Sequence, residues 1–516
     1  MVSFEDWFQR TKKKIKREWK LAFLTAFVAG LLIHMPVMLS DIPNHDGLDS
    51  MYFDQNMITS GRWFLSVACG FSSYYTLPWV IGLLGLVFLG FAAAALTELL
   101  EIRKSWAVVA AGGLLAAFPA LASTFAYVFT LDGYMLALLL AVLAVLVTKK
   151  YRYGFLPGGL CLAFSLGIYQ GYLSFAMILC IYAILMLAQE KAVPAEKVKR
   201  GLRYLYMGVL GAVLYYVILQ VLLQIQGKSL DTYQGISGLA ADTAPSAGIL
   251  QRVLGMYQDF AAFSVKGNVL MNNWISAAAW ILLACLALAV GIILTGKRKW
   301  WKSPWFFVIM VVTVLAIPFA ANSILLISPA VTYHLLMRYQ WVLFPIGLIV
   351  FIGRHGSETR MGAAAEWGAL AAAFALVFFY GVTDNIGYSN LHKRYEKTYA
   401  YCVRLLDRIE QTPGYYQGIP IAMIGVVGDD EFPATDITLP VTSGMIGING
   451  DSLLYTGENY RLFIRHYLGA TLNILPAEAM TDMYDDPEYI AMDSFPGPDS
   501  VRIIDGVLYI KTENLH

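Results

Sequence analysis

The stretch Asp41–Trp63, DIPNHDGLDSMYFDQNMITSGRW, follows directly on the apolar run Leu21–Leu39. That run is close to the ~20 residues that a membrane-spanning helix needs. The stretch after it contains four carboxylates, a histidine and an arginine, although only 14% of the 516 residues are charged. If the apolar run crosses a membrane, these charges lie where the chain emerges on the far side.

The composition indicates a polytopic membrane protein. Hydrophobic residues make up 58% of the chain, which is more apolar surface than a soluble core buries. The formal net charge of +1, with basic residues in short clusters between apolar runs, argues against a nucleic-acid partner. The five cysteines show no spacing typical of a metal site or a disulfide framework. Residues 1–20 form a basic amphipathic lead-in that is predicted to stay cytoplasmic.

About eleven membrane-spanning helices are predicted from the apolar runs. After Leu21–Leu39 these runs are 78–97, 106–126, 133–148, 155–169, 172–189, 204–225, 274–296, 304–327, 341–353 and 362–383. With the N-terminus inside, each of the five cytoplasmic loops carries clustered basic residues, and the opposite loops carry acids and aromatics. The clusters are Arg103/Lys104, Lys149/Lys150/Arg152, Lys197/Lys199/Arg200/Arg203, Lys297/Arg298/Lys299/Lys302 and Arg354/Arg360. This alternation is what the positive-inside bias predicts.

The sequence therefore predicts an all-α membrane bundle over residues 21–383, with a first outer loop at 40–77. Residues 384–516 are predicted to form a small extracytoplasmic α/β domain. In it, Tyr388–Gln411 has helical periodicity, Ile419–Val427 is typical of a buried strand, and Val501–Lys511 indicates a hairpin with its turn at Asp505-Gly506. In the remaining long outer loop, 227–273, the first half is rich in Gly, Ser and Asp and the second half is helical.

Asp46 and Asp49 are the first candidates for chemistry. They are three residues apart, so a helix beginning near Asp46 places both on one face. Amphipathic helices are expected over Leu48–Ala68, along the membrane interface. The alternative is that the acids only solvate the loop, with Asp46 as a helix N-cap.

Two groups of basic residues are candidates for binding phosphate. Arg62 is an isolated cation on the side that is otherwise acidic, and its guanidinium suits phosphate or a carboxylate. It could equally form an ion pair with an aspartate of the loop. His334 and Arg338 are four apart, so an α-helix would place them on one face at the outer boundary of the membrane. The alternative for this pair is a snorkelling arginine beside a satisfied histidine.

Two short outer turns offer groups for a sugar. Asp132 follows Thr130-Leu131, and it either positions a sugar or forms the turn, the second being favoured. Gln170 lies in Tyr169-Gln170-Gly171-Tyr172, which combines polar and aromatic groups. The chain has no Gly-rich phosphate loop, nucleophile elbow or nucleotide-binding fingerprint. No inner loop is long enough for a nucleotide-sugar domain, so a donor is expected to come through the membrane.

The first outer loop contains two short motifs, Asn44-His45-Asp46 and Gly61-Arg62-Trp63. A basic N-terminus and one helix precede them, and about ten more spans follow. This arrangement resembles the bacterial glucosyl transferase family typified by the O-antigen glucosyltransferase type two (Gtr). This family looks like part of the GT-C superfamily of polytopic glycosyltransferases. The resemblance covers about residues 15–385. Many relatives have a doubled acid where this chain has His45-Asp46, with Asp49 one turn later.

The resemblance implies inverting transfer of a hexosyl group, glucose above all, from a polyprenyl-phosphate donor to a cell-surface glycan at the bacterial plasma membrane. It matches Asp46 to the catalytic base, with Asp49 as the rival. His45, Arg62, Asp132, Gln170, His334 and Arg338 are the expected substrate-binding residues. A divalent cation, Mg²⁺ or Mn²⁺, on Asp46 and Asp49 stays open. The alternatives are a transporter or flippase of a lipid-linked glycan, which typically carries ionisable residues near mid-membrane, and a non-catalytic envelope assembly protein.

Overall fold

The computed structural model describes residues 14–190, 192–231, 249–265, 269–327, 331, 333–424, 438–448, 453–454 and 457–512, together with residues 3, 5, 6 and 12. The first half of the predicted outer loop at 227–273 lies largely outside these residues, as does the end of the predicted strand at 425–427. The chain divides into two compact units. Unit 1 contains residues 52–385 and the N-terminal segment up to Leu39, and unit 2 contains Ser40–Met51 and Ile386–His516.

The described α-helices have these bounds: α1 Arg17–Met38, α2 His45–Ser50, α3 Leu65–Tyr74, α4 Pro78–Leu99, α5 Ser105–Ala117, α6 Pro119–Ala126, α7 Leu131–Lys150, α8 Phe155–Ile168, α9 Tyr172–Gln189, α10 Pro194–Gln226, α11 Ile249–Val265, α12 Trp274–Arg298, α13 Pro304–Ala321, α14 Ile324–Ile327, α15 Leu343–His355, α16 Gly362–Glu410, α17 Gly457–Phe463, α18 Ala477–Met480 and α19 Pro487–Ala491. The 3₁₀-helices are Ile58–Ser60, Val128–Thr130, Val269–Met271, Trp300–Lys302, Leu335–Val342, Gly356–Glu358, Leu439–Thr442 and Thr481–Asp485, and a π-helical turn covers Ile464–Leu468.

The protein is a multi-pass membrane protein by the length and apolarity of its helices. In the described part of the chain nine helices are long and apolar enough to cross a membrane, or ten if α5 and α6 form one span bent by 41°. The bend falls at Phe118-Pro119, where the proline cannot donate a helical hydrogen bond. The predicted run 155–169 forms α8, an apolar helix of only 14 residues.

Small residues allow α1 and α4 to pack closely in unit 1. A Cβ on Gly30 would lie 2.4 Å from Leu86, one on Gly82 would lie 2.6 Å from Met38, and one on Gly90 would lie 2.7 Å from Phe23. Each glycine therefore receives a side chain of the neighbouring helix. Because lipid tails are as apolar as leucine, such close packing is a main source of helix association in a membrane.

Unit 2 contains a four-stranded sheet in the order β2-β1-β4-β3. Its strands are β1 Pro420–Ile424, β2 Asn473–Ile474, β3 Val501–Ile504 and β4 Val507–Lys511. β1 is parallel to β2 and β4, and β3 and β4 form an antiparallel hairpin. The predicted turn at Asp505-Gly506 is confirmed, with positive φ at both residues, +47° and +80°.

Two local predictions need correction. Residues 362–383 and 388–411 were expected to form separate helices, but α16 is continuous over 49 residues. The segment 48–68 was expected to be mainly helical, but only the end of α2, the 3₁₀-turn Ile58–Ser60 and the start of α3 are helical there. The intervening backbone includes Tyr52 and Gln55 at positive φ, a conformation that an α-helix excludes.

Candidate functional site

The predicted site residues fall into both units. His45, Asp46 and Asp49 belong to unit 2, because Ser40–Met51 packs with the C-terminal part of the chain. Arg62, Asp132, Gln170, His334 and Arg338 belong to unit 1. The geometry of each group is described within its own unit.

Helix α2 presents the two candidate carboxylates. Its N-cap is Asn44, whose Oδ1 accepts a hydrogen bond from Gly47 N at 2.8 Å. The alternative that Asp46 is the N-cap is therefore wrong, and the Asp46 carboxylate is not used by the helix end. The side chain of Asp46 is 57% exposed, and His45 Nε2 lies 3.5 Å from Asp46 Oδ1.

Asp49 is accessible at the surface and also contacts the C-terminal part of unit 2. Asn459 Nδ2 of α17 donates to Asp49 Oδ1 at 3.5 Å. The pKa of Asp49 is raised, first by the loss of water around it and then by the negative charges of Asp46 and Glu458. The Asn459 hydrogen bond and the charge of His45 oppose this shift. A raised pKa makes a carboxylate a more effective general base, because the best catalytic pKa lies near the working pH.

In unit 1, Gly61-Arg62-Trp63 forms a tight turn for steric reasons. Gly61 has φ +75°, and a Cβ there would lie 2.5 Å from Tyr215 Oη and 2.8 Å from Gln170 Nε2. Arg62 N donates to Met57 O at 3.1 Å, which closes the turn. Trp63 is buried, and a Cβ on Gly167 would lie 2.5 Å from its ring. Glycine and tryptophan thus fix the backbone on both sides of Arg62.

The Arg62 guanidinium lies against two tyrosines. It is 5.1 Å from the ring centroid of Tyr169, and its Nη1 donates to Tyr134 Oη at 3.2 Å. The two tyrosine rings stack with centroids 4.4 Å apart. The rings hold the guanidinium in one orientation. No sequence pattern indicated that Tyr134 takes part.

Gln170 and Asp132 both hold other elements in place. Gln170 Nε2 donates to Ser60 O and to Tyr215 Oη, both at 3.1 Å, and so supports the turn before Arg62. Asp132 is buried in the first turn of α7, where its Oδ2 accepts from Ser72 Oγ of α3 at 2.6 Å. The second carboxylate oxygen accepts from Gly133 N at 3.0 Å.

His334 and Arg338 do not share an α-helical face, so that expectation is wrong. His334 has extended backbone angles and precedes the 3₁₀-helix Leu335–Val342, in which Arg338 has φ −105° and ψ 22°. The Arg338 guanidinium binds Asp259 of α11 with two hydrogen bonds of 2.7 and 2.8 Å. It also lies 3.8 Å from the ring centroid of Tyr333. Asp259 was missed, although it is the single acid of the stretch 249–265.

The comparison with known families covers this whole set of residues. A sequence model of the family described as glucosyl transferase GtrII matches residues 20–345, more than half of the chain. The chain belongs to this family. No curated protein and no solved structure matches it. All eight predicted site residues, from His45 to Arg338, lie within the GtrII match, whereas residues 346–516 lie beyond it.

Membership of the GtrII family makes the protein a membrane glycosyltransferase, with a sugar donor and an acceptor. Two accessible carboxylates, Asp46 and Asp49, can accept a proton, and Arg62 presents a guanidinium held by aromatic rings. Among the described residues no group of three or more His, Cys, Asp or Glu side chains could hold a metal ion.

Proposed function

We propose that this GtrII enzyme transfers a hexosyl group, glucose in the first place, from a polyprenyl-phosphate donor to a cell-surface glycan, with inversion at the anomeric carbon. The observation that carries the proposal is the pair of carboxylates on α2, inside a chain of the GtrII family. A lipid-linked donor fits a polytopic chain that has no nucleotide-binding fingerprint.

The proposed location is the outer face of the bacterial plasma membrane. The five basic loops support a topology of eleven spans with a cytoplasmic N-terminus, in which α8 is the span that the length criterion leaves out. In this topology α2 and the whole of Ile386–His516 are extracytoplasmic. A polyprenyl-phosphate sugar exposed in the outer leaflet is then the natural donor.

The proposed reaction is a single displacement. A carboxylate takes the proton of the acceptor hydroxyl while the hydroxyl oxygen bonds to the anomeric carbon. The bond from the anomeric carbon to the phosphate oxygen breaks, and its electron pair leaves with the polyprenyl phosphate. Asp49 is the better candidate for the base, because it is accessible and its pKa is raised. Asp46, which the family resemblance favours, is the alternative.

A cation is needed where negative charge develops on the leaving phosphate. Arg62 is the proposed residue. Arg338 is the weaker candidate, because Asp259 already neutralises its charge in a bidentate pair. Gln170 is proposed to act through the backbone of Ser60, Asp132 through Ser72 of α3, and His45 through its contact with Asp46.

The proposed step uses no metal ion, because a carboxylate base and the Arg62 guanidinium supply the proton acceptor and the positive charge that the displacement needs. Transfer by the purified enzyme is therefore expected to persist after dialysis against EDTA. Activity that is lost on chelation and restored by Mg²⁺ or Mn²⁺ would contradict this part of the proposal and make the two carboxylates metal ligands.

The test of the proposed function uses the full-length protein in lipid nanodiscs with a radiolabelled polyprenyl-phosphate glucose and the isolated cell-surface glycan. Asp49→Asn is expected to lower transfer about 10²–10⁴-fold, the range for loss of a general base. Asp46→Asn tests the alternative. Asp54→Asn is the matched control, since this acid of the same loop accepts a local hydrogen bond from Asn56 N. Full activity in the variant with both Asp46 and Asp49 replaced would refute the assignment.

A further inference from the structure

Helix α17, which lies beyond the GtrII match, contacts the helix that presents the carboxylates. Asn459 is buried at 5% exposure, and its amide donates to Asp49 Oδ1 at 3.5 Å. Glu458 is the preceding residue of α17, which packs against α2, and its negative charge raises the pKa of Asp49. Both contacts lie within unit 2. The C-terminal part of the chain therefore supplies groups directly to the proposed base.

We propose that Asn459 and Glu458 are positioning residues for glycosyl transfer, so that the C-terminal domain completes the catalytic helix α2. The inference rests on the proposed role of Asp49 as general base. Asn459 orients one carboxylate oxygen and leaves the other available to the acceptor hydroxyl. The negative charge of Glu458 disfavours the ionised form of Asp49 and so makes the Asp49 carboxylate a better proton acceptor.

The support for Asn459 is rigid, which is what an orienting residue requires. Tyr460 and Phe463 of α17 are fully buried. A Cβ on Gly457 would lie 3.0 Å from Ile474 of β2, so the start of α17 is pressed onto the sheet. The amide of Asn459 is thus carried by the core of the domain.

A second contact holds the segment Ser40–Met51 at both ends. Tyr467 Oη donates to the backbone carbonyl of Asp41 at 3.2 Å and lies 4.0 Å from Met51 Sδ. The Tyr467 ring packs against Tyr395 and Phe463, with centroids 5.3 and 4.9 Å away. One side chain of the domain therefore contacts the residues that flank α2.

The charged and titratable groups around Asp49 act in opposite directions. Asp46 and Glu458 favour its protonated form, and His45 and the Asn459 amide favour the carboxylate. Arg461 forms an ion pair with Glu458 through its Nε at 2.7 Å, which offsets part of the Glu458 charge. Removal of Asn459 and removal of the Glu458 charge are therefore expected to shift the titration of Asp49 in opposite senses.

The experiment measures kcat and KM against pH for the full-length enzyme in nanodiscs. Asn459→Ala is expected to move the acidic limb of the kcat profile to higher pH, because the Asp49 carboxylate loses a hydrogen-bond donor. Glu458→Gln is expected to move the same limb downward. Asn390→Ala is the matched control: Asn390 is an equally buried asparagine of the same unit, and its hydrogen bonds go to Thr442 and Thr438.

The outcomes separate this inference from the proposed function. Absence of glycosyl transfer by the wild-type enzyme refutes the proposed function. Transfer that is retained when both Asp46 and Asp49 are replaced refutes the role of Asp49 as general base. Loss of activity in Asp49→Asn, with Asn459→Ala and Glu458→Gln giving the same limb as Asn390→Ala, refutes the positioning role alone. If Asn459→Ala does not fold, two other variants test the inference. A shift of the acidic limb to lower pH in Glu458→Gln and a lower kcat at unchanged donor KM in Tyr467→Phe support it. Wild-type profiles in both variants overturn it.

Discussion

Replacing Gly61 by alanine tests whether the turn before Arg62 is built as described. The new Cβ would lie 2.5 Å from Tyr215 Oη and 2.8 Å from Gln170 Nε2, at a residue whose φ is +75°. A left-handed conformation costs an alanine about 1–2 kcal/mol. Relief of the clash displaces the hydrogen bonds that join Gln170, Tyr215 and the turn, each worth about 1 kcal/mol. The expected loss of stability is about 3–5 kcal/mol.

The assay is the thermal unfolding midpoint of the purified protein in nanodiscs, read together with glycosyl transfer. Gly61→Ala is expected to lower both, because the displaced turn carries Arg62. Gly208→Ala is the control, since a Cβ at this glycine of α10 meets nothing within 4 Å. Tyr215→Phe removes the nearest clashing atom, so the double variant is expected to be less destabilised than the two single effects added together. Equal midpoints for Gly61→Ala and Gly208→Ala would refute the reasoning.

Three further predictions concern charge. Asp49→Asn is expected to raise the unfolding midpoint at neutral pH although it lowers transfer, because an acid whose pKa is raised on folding destabilises the ionised protein. This gain in stability is expected to vanish as the pH falls below the usual pKa of an aspartate, and an unchanged midpoint at pH 7 would contradict the prediction. Asp259→Asn is expected to lower the free energy of unfolding by about 2–3 kcal/mol, less than the ~3–5 kcal/mol for breaking a fully buried pair, because the Asp259 side chain is 30% exposed. A midpoint equal to that of the wild type would show that Arg338 finds another partner. Arg62→Lys is expected to lower kcat/KM for the donor at least about tenfold with an unchanged midpoint, since an ammonium lacks the planar, bidentate donors of a guanidinium and its stacking on Tyr169. Wild-type kinetics would exclude a role for the guanidinium.

The sequence predicted the membrane bundle and the small sheet because both depend on local patterns. Apolar runs of span length indicate helices in any context, and Asp505-Gly506 between apolar residues specifies a hairpin by its own backbone preferences. The two helices predicted over 362–411 form the single helix α16, because neither Asn385 nor Gly387 interrupts the helical backbone. Asn385 Nδ2 instead donates to Gly381 O of the preceding turn, at 2.7 Å.

The partners of the site residues were beyond sequence reasoning because they are distant along the chain. Arg338 binds Asp259, 79 residues away, and Arg62 binds Tyr134, 72 residues away. No hydrophobic pattern in this stretch of sequence indicates the 3₁₀-helix that places His334 and Arg338 on different faces. Asn459 is 410 residues from Asp49 along the chain, in the C-terminal domain. Residue type therefore suggested which side chains carry chemistry, and tertiary packing decided which of them are already occupied.

The length of α8 has a consequence for the lipid around the enzyme. Its 14 residues extend about 21 Å at ~1.5 Å per residue, whereas the hydrocarbon core of a bilayer is ~30 Å thick. If α8 completes the proposed topology, the bilayer must thin beside it, or flanking side chains must reach to the interface. The Tyr169-Gln170 turn, which holds Arg62, follows directly on the end of this helix. Acyl-chain length is then expected to affect the rate of transfer, since thicker bilayers would strain the turn that supports Arg62, the residue proposed to bind the donor phosphate.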